Sequence, residues 1–322
     1  MTTGTGRRFL IIAGIGALAL ATVAATLFIG IADTTTVIVT EIRAPRIALG
    51  LLVGAGLGVS GALLQGSLRN PLADPGIVGV SAGAALGAVL AVAVGAAYGS
   101  WLSAVAAALF GGLAIAGVLW IARGRDGQTE VVTLILAGVA MTAFTAAALS
   151  VVVAMADTAG SRSTTFWTTG SLALATWPSV LTVLPFLAVG VAMAFGTARS
   201  LDVMALGDRA ARAGGVHVNR VRLIALIAAV LLVAGGVAMV GVIAFVGLVV
   251  PHAARLLLGP RHAWVIAGSA LLGAVLILWS DTIARSIAAP VELPLGVVTA
   301  AIGAPAFVIL LRRTRATQGG WA

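Results

Sequence analysis

The chain alternates long, unbroken apolar runs with short polar stretches. Ten runs stand out: Phe9–Ile31, Ile47–Gly66, a glycine-rich run between Gly79 and Gly95, Trp101–Ala122, Val131–Ala154, Pro178–Thr197, Leu223–Val240, Val242–Leu258, Ala263–Asp281 and Leu293–Leu311. A helix needs about 20 apolar residues to cross a bilayer, so each run predicts one membrane-spanning helix. A barrel is excluded by the pattern, because barrel strands alternate lipid-facing and lumen-facing residues. The expected fold is all-α: one polytopic membrane domain over residues 1–322 with ten transmembrane helices. The seventh and eighth runs are the hardest to separate, since Ala238–Val250 is apolar without a break.

Within the second run Gly50, Gly54, Gly58, Ala62 and Gly66 recur every four residues, and Gly79, Gly83, Gly87, Ala91 and Gly95 repeat the device in the third. Small residues at that spacing form a smooth helical ridge, which allows backbones to approach closely in lipid. Between these runs, Asp74-Pro75-Gly76 fits a type II turn, with glycine at the position of positive φ. Asp157, Arg162, Trp167 and Trp177 predict an interfacial segment over 157–177.

The longest polar stretch is Leu201–Arg222. Asp208 is placed to cap a short helix, Arg212 lies near its end, and Gly214-Gly215 stop it. So short a helix is marginal in isolation and predicts docking against something else, the competing reading being a solvated loop.

Composition agrees with this pattern. The chain is 61% hydrophobic and 9% charged, against roughly 25% charged residues in soluble domains. All 19 basic residues are arginine and there is no cysteine. Without lysine there is no P-loop of the usual chemistry, so any ATP-driven step needs an ATPase on another chain. Fifteen arginines fall on the side of the ten-span topology that holds both termini and the 201–222 stretch; Arg43, Arg46, Arg162 and Arg285 fall on the other. The positive-inside rule therefore predicts that both termini are cytoplasmic. The net charge of +9 reads as membrane topology, with no nucleic-acid partner.

The spans are nearly free of titratable groups. Asp281 falls at a predicted span end, and His252 follows Pro251 near the end of the eighth run; each reads as an interfacial or capping residue. His217, His252 and His262 are scattered, and neither a metal site nor a nucleophile with its base can be read from the sequence. Arg43 and Arg46 precede the second run and Arg285 lies between the ninth and tenth. They suit either local pairing, with Glu41 or Glu292 for instance, or bidentate docking of an acidic partner.

Six segments, in order, are similar to the FecCD-type permeases, the membrane subunits of iron-chelate and cobalamin ABC importers. They are IRAPR (42–46), SGALLQGSLRNPLADPGIVGVSAGAALG (60–87), LILAGVA (134–140), ALGDRAARAGGV (205–216), GVIAFVGLVVPHAARLLLG (241–259) and ELPLGVVTAAIGAPAFVILLRR (292–313). The resemblance implies a multi-pass subunit of the bacterial cytoplasmic (inner) membrane. It also implies a second permease subunit, two ABC ATPase subunits that use ATP and Mg, and an external substrate-binding protein. It assigns ATPase coupling to Leu206, Gly207, Asp208, Ala211, Arg212, Gly215 and Val216, with the small residues around Asp208, Ala211 and Gly215 as the expected contact. It assigns a cytoplasmic gate to Asn70 and Leu72, and binding-protein docking to Arg43, Arg46 and Arg285. Ala213-Gly214-Gly215 departs from the family pattern of a larger residue before a single glycine. No catalytic residue, metal or cofactor of its own is expected, the substrate being an iron–siderophore or similar large chelate. An ion-gradient-driven secondary carrier and a membrane scaffold without transport are the competing classes.

Overall fold

The computed structural model describes residues 3–29, 35–122, 131–155 and 169–317. Among them all regular structure is helical: α1 Thr3–Phe28, α2 Ala44–Ser67, α3 Val80–Ala93, α4 Trp101–Ile121, α5 Val131–Met155, α6 Trp177–Met204, α7 Asp208–Ala213, α8 Val218–Val240, α9 Val246–Leu258, α10 His262–Ser286 and α11 Leu295–Thr317. A π-helical turn, Ile38–Arg43, leads into α2, whose first turn carries Pro45. Seven helices (α1, α2, α4, α5, α6, α8 and α10) are long and apolar enough to cross a membrane, while α3, α9 and the Leu295–Ile309 part of α11 are apolar but shorter. Each of the ten apolar runs holds one of these helices, and α7 lies in the polar stretch. Most of the interfacial segment expected over 157–177, with Arg162 and Trp167, lies outside the described residues.

Three local expectations are corrected. First, α6 continues to Met204 and α8 begins at Val218, so Arg199, Arg220 and Arg222 are helical and only 205–217 link these two long helices. The 28 residues of α6 span about 42 Å at 1.5 Å per residue, well beyond a hydrocarbon core of about 30 Å. Polar residues are tolerated in the overhang because they find partners: Asp202 accepts bonds from the His262 backbone N–H and ring Nδ1, each at 2.7 Å. Second, α9 starts at Val246, not Val242, because Gly241 (φ 77°) and Phe245 (φ 67°) take left-handed conformations that no helix continues through. A crossing segment of chain packs beside this break: Ser171 N–H donates to Val240 O, while the N–H groups of Leu295 and Gly296 donate to Gly170 and Thr169 carbonyls and tie the same segment to the start of α11. Third, Asp74-Pro75-Gly76 is not a type II turn. Asp74 Oδ1 accepts the Gly76 N–H at 2.8 Å and its carbonyl accepts Val78 N–H at 2.9 Å, giving a helical-type turn, and the left-handed glycine is Gly79 (φ 86°).

The core is built around α2, which is buried on several faces. On one face the predicted ridge meets α10: a Cβ on Gly54 would lie 2.4 Å from Gly273 O, and one on Gly58 2.2 Å from Ser269 O. Gly273 returns the contact, its own Cβ position falling 2.2 Å from Gly54 O. On other faces, Gly61 meets Gly247 O of α9 at 1.9 Å and Gly56 meets Leu232 O of α8 at 2.8 Å by the same measure. No side chain fits at these crossings. The second ridge is only half realised. Gly83 and Gly87 press on the Phe110 and Ala106 carbonyls of α4, but Gly79 and Gly95 fall outside α3 as left-handed turn residues. Thus α3 pairs with α4, while α2, α8, α9 and α10 form the central block.

Gly61→Val has no room against Gly247 and is expected to destabilise the bundle by about 3 kcal/mol, the upper end of overpacking costs. Gly112→Ala, with nothing within 4 Å of its Cβ position, serves as the tolerated control. Thermal unfolding of the detergent-solubilised protein distinguishes the two; equal midpoints would refute the close α2–α9 crossing.

Candidate functional sites at the two ends of the bundle

At one end of α2 lies a buried ion network. Arg46 grips Asp281 through Nε and Nη2, with contacts of 2.9–3.2 Å, and Glu292 through Nη1 and Nη2 at 2.9 and 3.1 Å. Arg285 Nη2 donates to Thr26 O at 2.9 Å, with its Nε 4.0 Å from Asp281 Oδ2. Arg43 is buried and donates to Leu27 O at 2.6 Å. The structure therefore unites all three arginines assigned to docking, and Arg46 takes the local partner Glu292 that the sequence offered. Asp281 is no cap: it sits inside α10, only 6% exposed, as the carboxylate between two guanidiniums. Arg285 likewise occupies the last turn of α10, not a free turn. The network ties the ends of α1, α2 and α10 to the chain before α11.

At the other end the chain reverses beside α7. The Asn70 side chain accepts Leu72 N–H at 2.9 Å, folding the segment after α2 on itself; Asn70 is buried and Leu72 half-buried. Asp74 is fully enclosed, and burial pushes its carboxyl from 3.8 up to about 6, although the Gly76 and Ile77 N–H groups pull the other way. Gln65, a lone amide in an apolar run, donates to the Gly247 and Leu248 carbonyls at 3.2 Å and accepts from Arg255 Nη1. Sequence reasoning missed Gln65, Arg255 and the Asp202–His262 pair; for Gln65 alone there is a signal, an isolated polar side chain beside a glycine ridge.

The polar stretch does fold into a short docked helix. Its cap is Gly207 (φ 113°), not Asp208, which lies in the first turn with its carboxylate on Arg222 at 3.1 Å. Gly215 (φ 81°) ends it: Gly215 N–H bonds to Arg212 O and Val216 N–H to Ala211 O, the two bonds of a Schellman motif. Ala211 is fully buried against the chain's own helices. The outward face is instead Leu206, 77% exposed, with Arg209, Ala210 and Arg212. Gly215 is exposed beside it, and Val216 is half-buried.

Two outcomes are expected. Arg46→Ala leaves Asp281 buried and underpaired, which costs about 3–5 kcal/mol; a chemical-denaturation midpoint equal to wild type would contradict the network. For Asp74 the folded-state value lies above the unfolded one, so its neutral form is the one the fold favours. Stability is full below about pH 4 and falls as the pH rises to about 6, by on the order of 2–3 kcal/mol. Asp74→Asn should abolish that fall in a pH series of thermal midpoints.

Comparison with known proteins places this arrangement. Residues 8–313 match the FecCD transport family. The cobalamin import system permease protein BtuC of Halobacterium salinarum is 42% identical over 90% of this chain and 77% of its own length. The hemin transport system permease protein HmuU of Yersinia pestis is 38% identical over 87% of this chain and 84% of its own. Among solved structures, an inward-facing metal-chelate type ABC transporter superposes with a TM-score of 0.83 at 31% identity, over 94% of this chain and 99% of that one. The chain is a multi-pass protein of the cytoplasmic membrane and belongs to the FecCD transport family.

Proposed function

We propose that this chain is the membrane-spanning subunit of an ATP-driven importer that moves an iron–siderophore or a similar large chelate inward by alternating access. The observation that carries the reading is α7: a six-residue helix, capped at both ends by left-handed glycines, presents Arg209 and Arg212 outward, with exposed Leu206 just before it, at the end of the bundle richest in arginine. An ATPase subunit using ATP and Mg would dock there, since this chain has no lysine for a P-loop. All ten apolar helices cross the membrane in this reading, with both termini and α7 in the cytoplasm. Asn70 and Leu72 form part of the cytoplasmic closure. A second permease subunit, identical or related, completes the path.

An external binding protein would meet the opposite end. There Arg43, Arg46 and Arg285 act by holding the rim in shape rather than as free charges, because their guanidiniums are already engaged. The chelator carries its own metal, and among the described residues no cluster of three or more potential metal ligands occurs.

Reconstitution with an ATPase subunit and a binding protein is expected to give uptake of a ferric siderophore that requires ATP. Leu206→Asp should lower that uptake by about tenfold or more by weakening ATPase association, read as loss of co-purification; burying a charge in place of a large apolar group costs at least that factor. Uptake driven by a proton gradient without any ATPase would sink the reading in favour of a secondary carrier.

A further inference from the structure

Two arginines from different parts of the chain address the two oxygens of Asp208, the first residue of α7. Arg222, in the second turn of α8, donates from Nη2 to Oδ2 at 3.1 Å. Its Nε donates at 3.1 Å to the carbonyl of Ser67, the last residue of α2. That carbonyl is one of the acceptors a helix end leaves open, so a single guanidinium both caps α2 and holds α7. Arg69 approaches the other oxygen, Oδ1, only to 3.9 Å, which is too long for a hydrogen bond. Oδ1 is buried and has no hydrogen-bond partner.

Arg69 is itself unusual. It stands at φ 51°, a left-handed conformation disfavoured for any residue with a side chain. It is held there by the end of α2: Arg69 N–H bonds to Gly66 O and Asn70 N–H to Gln65 O. The backbone that follows is the buried Asn70–Leu72 turn. An approach of about 1 Å between Arg69 and α7 would bring the guanidinium within bonding distance of Oδ1 and remove the cost of an unpaired buried oxygen.

We propose that Arg222 is a strut that delivers displacement of α7 to the carboxyl end of α2 and the Asn70–Leu72 turn, and that Arg69 completes a second arm on Asp208 when α7 moves toward it. Asp208 thus alternates between one-armed and two-armed pairing. This rests on the reading of α7 as the ATPase-docking segment, and it makes Arg222 and Arg69 positioning residues for transport.

The test uses the whole importer in proteoliposomes, with uptake and ATP hydrolysis measured separately. Arg222→Met keeps the stem and removes the donors. Uptake per ATP hydrolysed should fall about fivefold or more, the lower bound of a useful coupling between sites, while the ATPase still co-purifies. Arg222→Lys should fall between the two, since a point charge cannot serve Asp208 and Ser67 at once. The chain has no cysteine, so spin labels on Pro71→Cys and Ala213→Cys, both exposed, report the α7-to-turn distance directly. ATP should change that distance, and Arg222→Met should abolish the change. An uptake-to-hydrolysis ratio within about twofold of wild type in Arg222→Met overturns the strut, as does a loss confined to thermal stability and yield, which a mere cap would show. Absence of ATP-driven uptake by the wild-type assembly overturns the importer reading and the strut with it; normal wild-type uptake with indifferent variants overturns the strut alone.

Discussion

Backbone-to-backbone contact between α2 and its neighbours is the constraint on which the rest of the structure depends. In lipid, apolar side chains gain little by leaving a surrounding that is already apolar, so helices are held by close packing and by polar bonds. The glycines of α2 provide the first on three fronts, against α10, α9 and α8. Polar bonds then fix the register at each end, Arg46 with Asp281 and Glu292 at one, Gln65 with the first turn of α9 at the other. A shift of α2 by one residue would set every one of these pairs out of reach.

How much of this the sequence announced depends on the range of each interaction. The ten apolar helices and the first glycine ridge were legible because their signals repeat along the chain at fixed intervals. The two left-handed glycines that bound α7 are half legible: Gly214-Gly215 reads as a stop, but Asp208 outranks Gly207 as a cap because aspartate is the stronger capping residue by composition alone. What decided against it was Arg222, fourteen positions away, which draws the carboxylate to itself. Asp281 and Arg46 are 235 residues apart, and nothing local to either predicts that they meet. The ends of α6 and α8 escape the sequence for a related reason. Polar residues read as loop in one dimension, yet in three dimensions Asp202 and Arg222 have helix-borne or backbone partners and stay helical.

The candidate site followed the same rule. Similarity of short motifs located α7, the 70–72 turn and the three arginines, because those motifs are contiguous. Which side chains face outward was not contained in the motifs. Ala211 points into the chain and Arg209 and Arg212 away from it, a matter of helical phase that only the docked helix settles. The arginines near α2 and α10 belong to one network, but their charge is spent largely within it.

A glycine-locked block has a mechanical consequence. Where backbones touch directly there are no side chains to re-rotamerise, so α2 and α10 cannot slide past one another by the small adjustments that let ordinary helix pairs shear. They must travel as one piece. Yielding is left to the less enclosed helices, such as α5, whose span is mostly unburied. Any rearrangement of this bundle therefore carries α2 and α10 together, and that stiffness is set by residues that have no side chain at all.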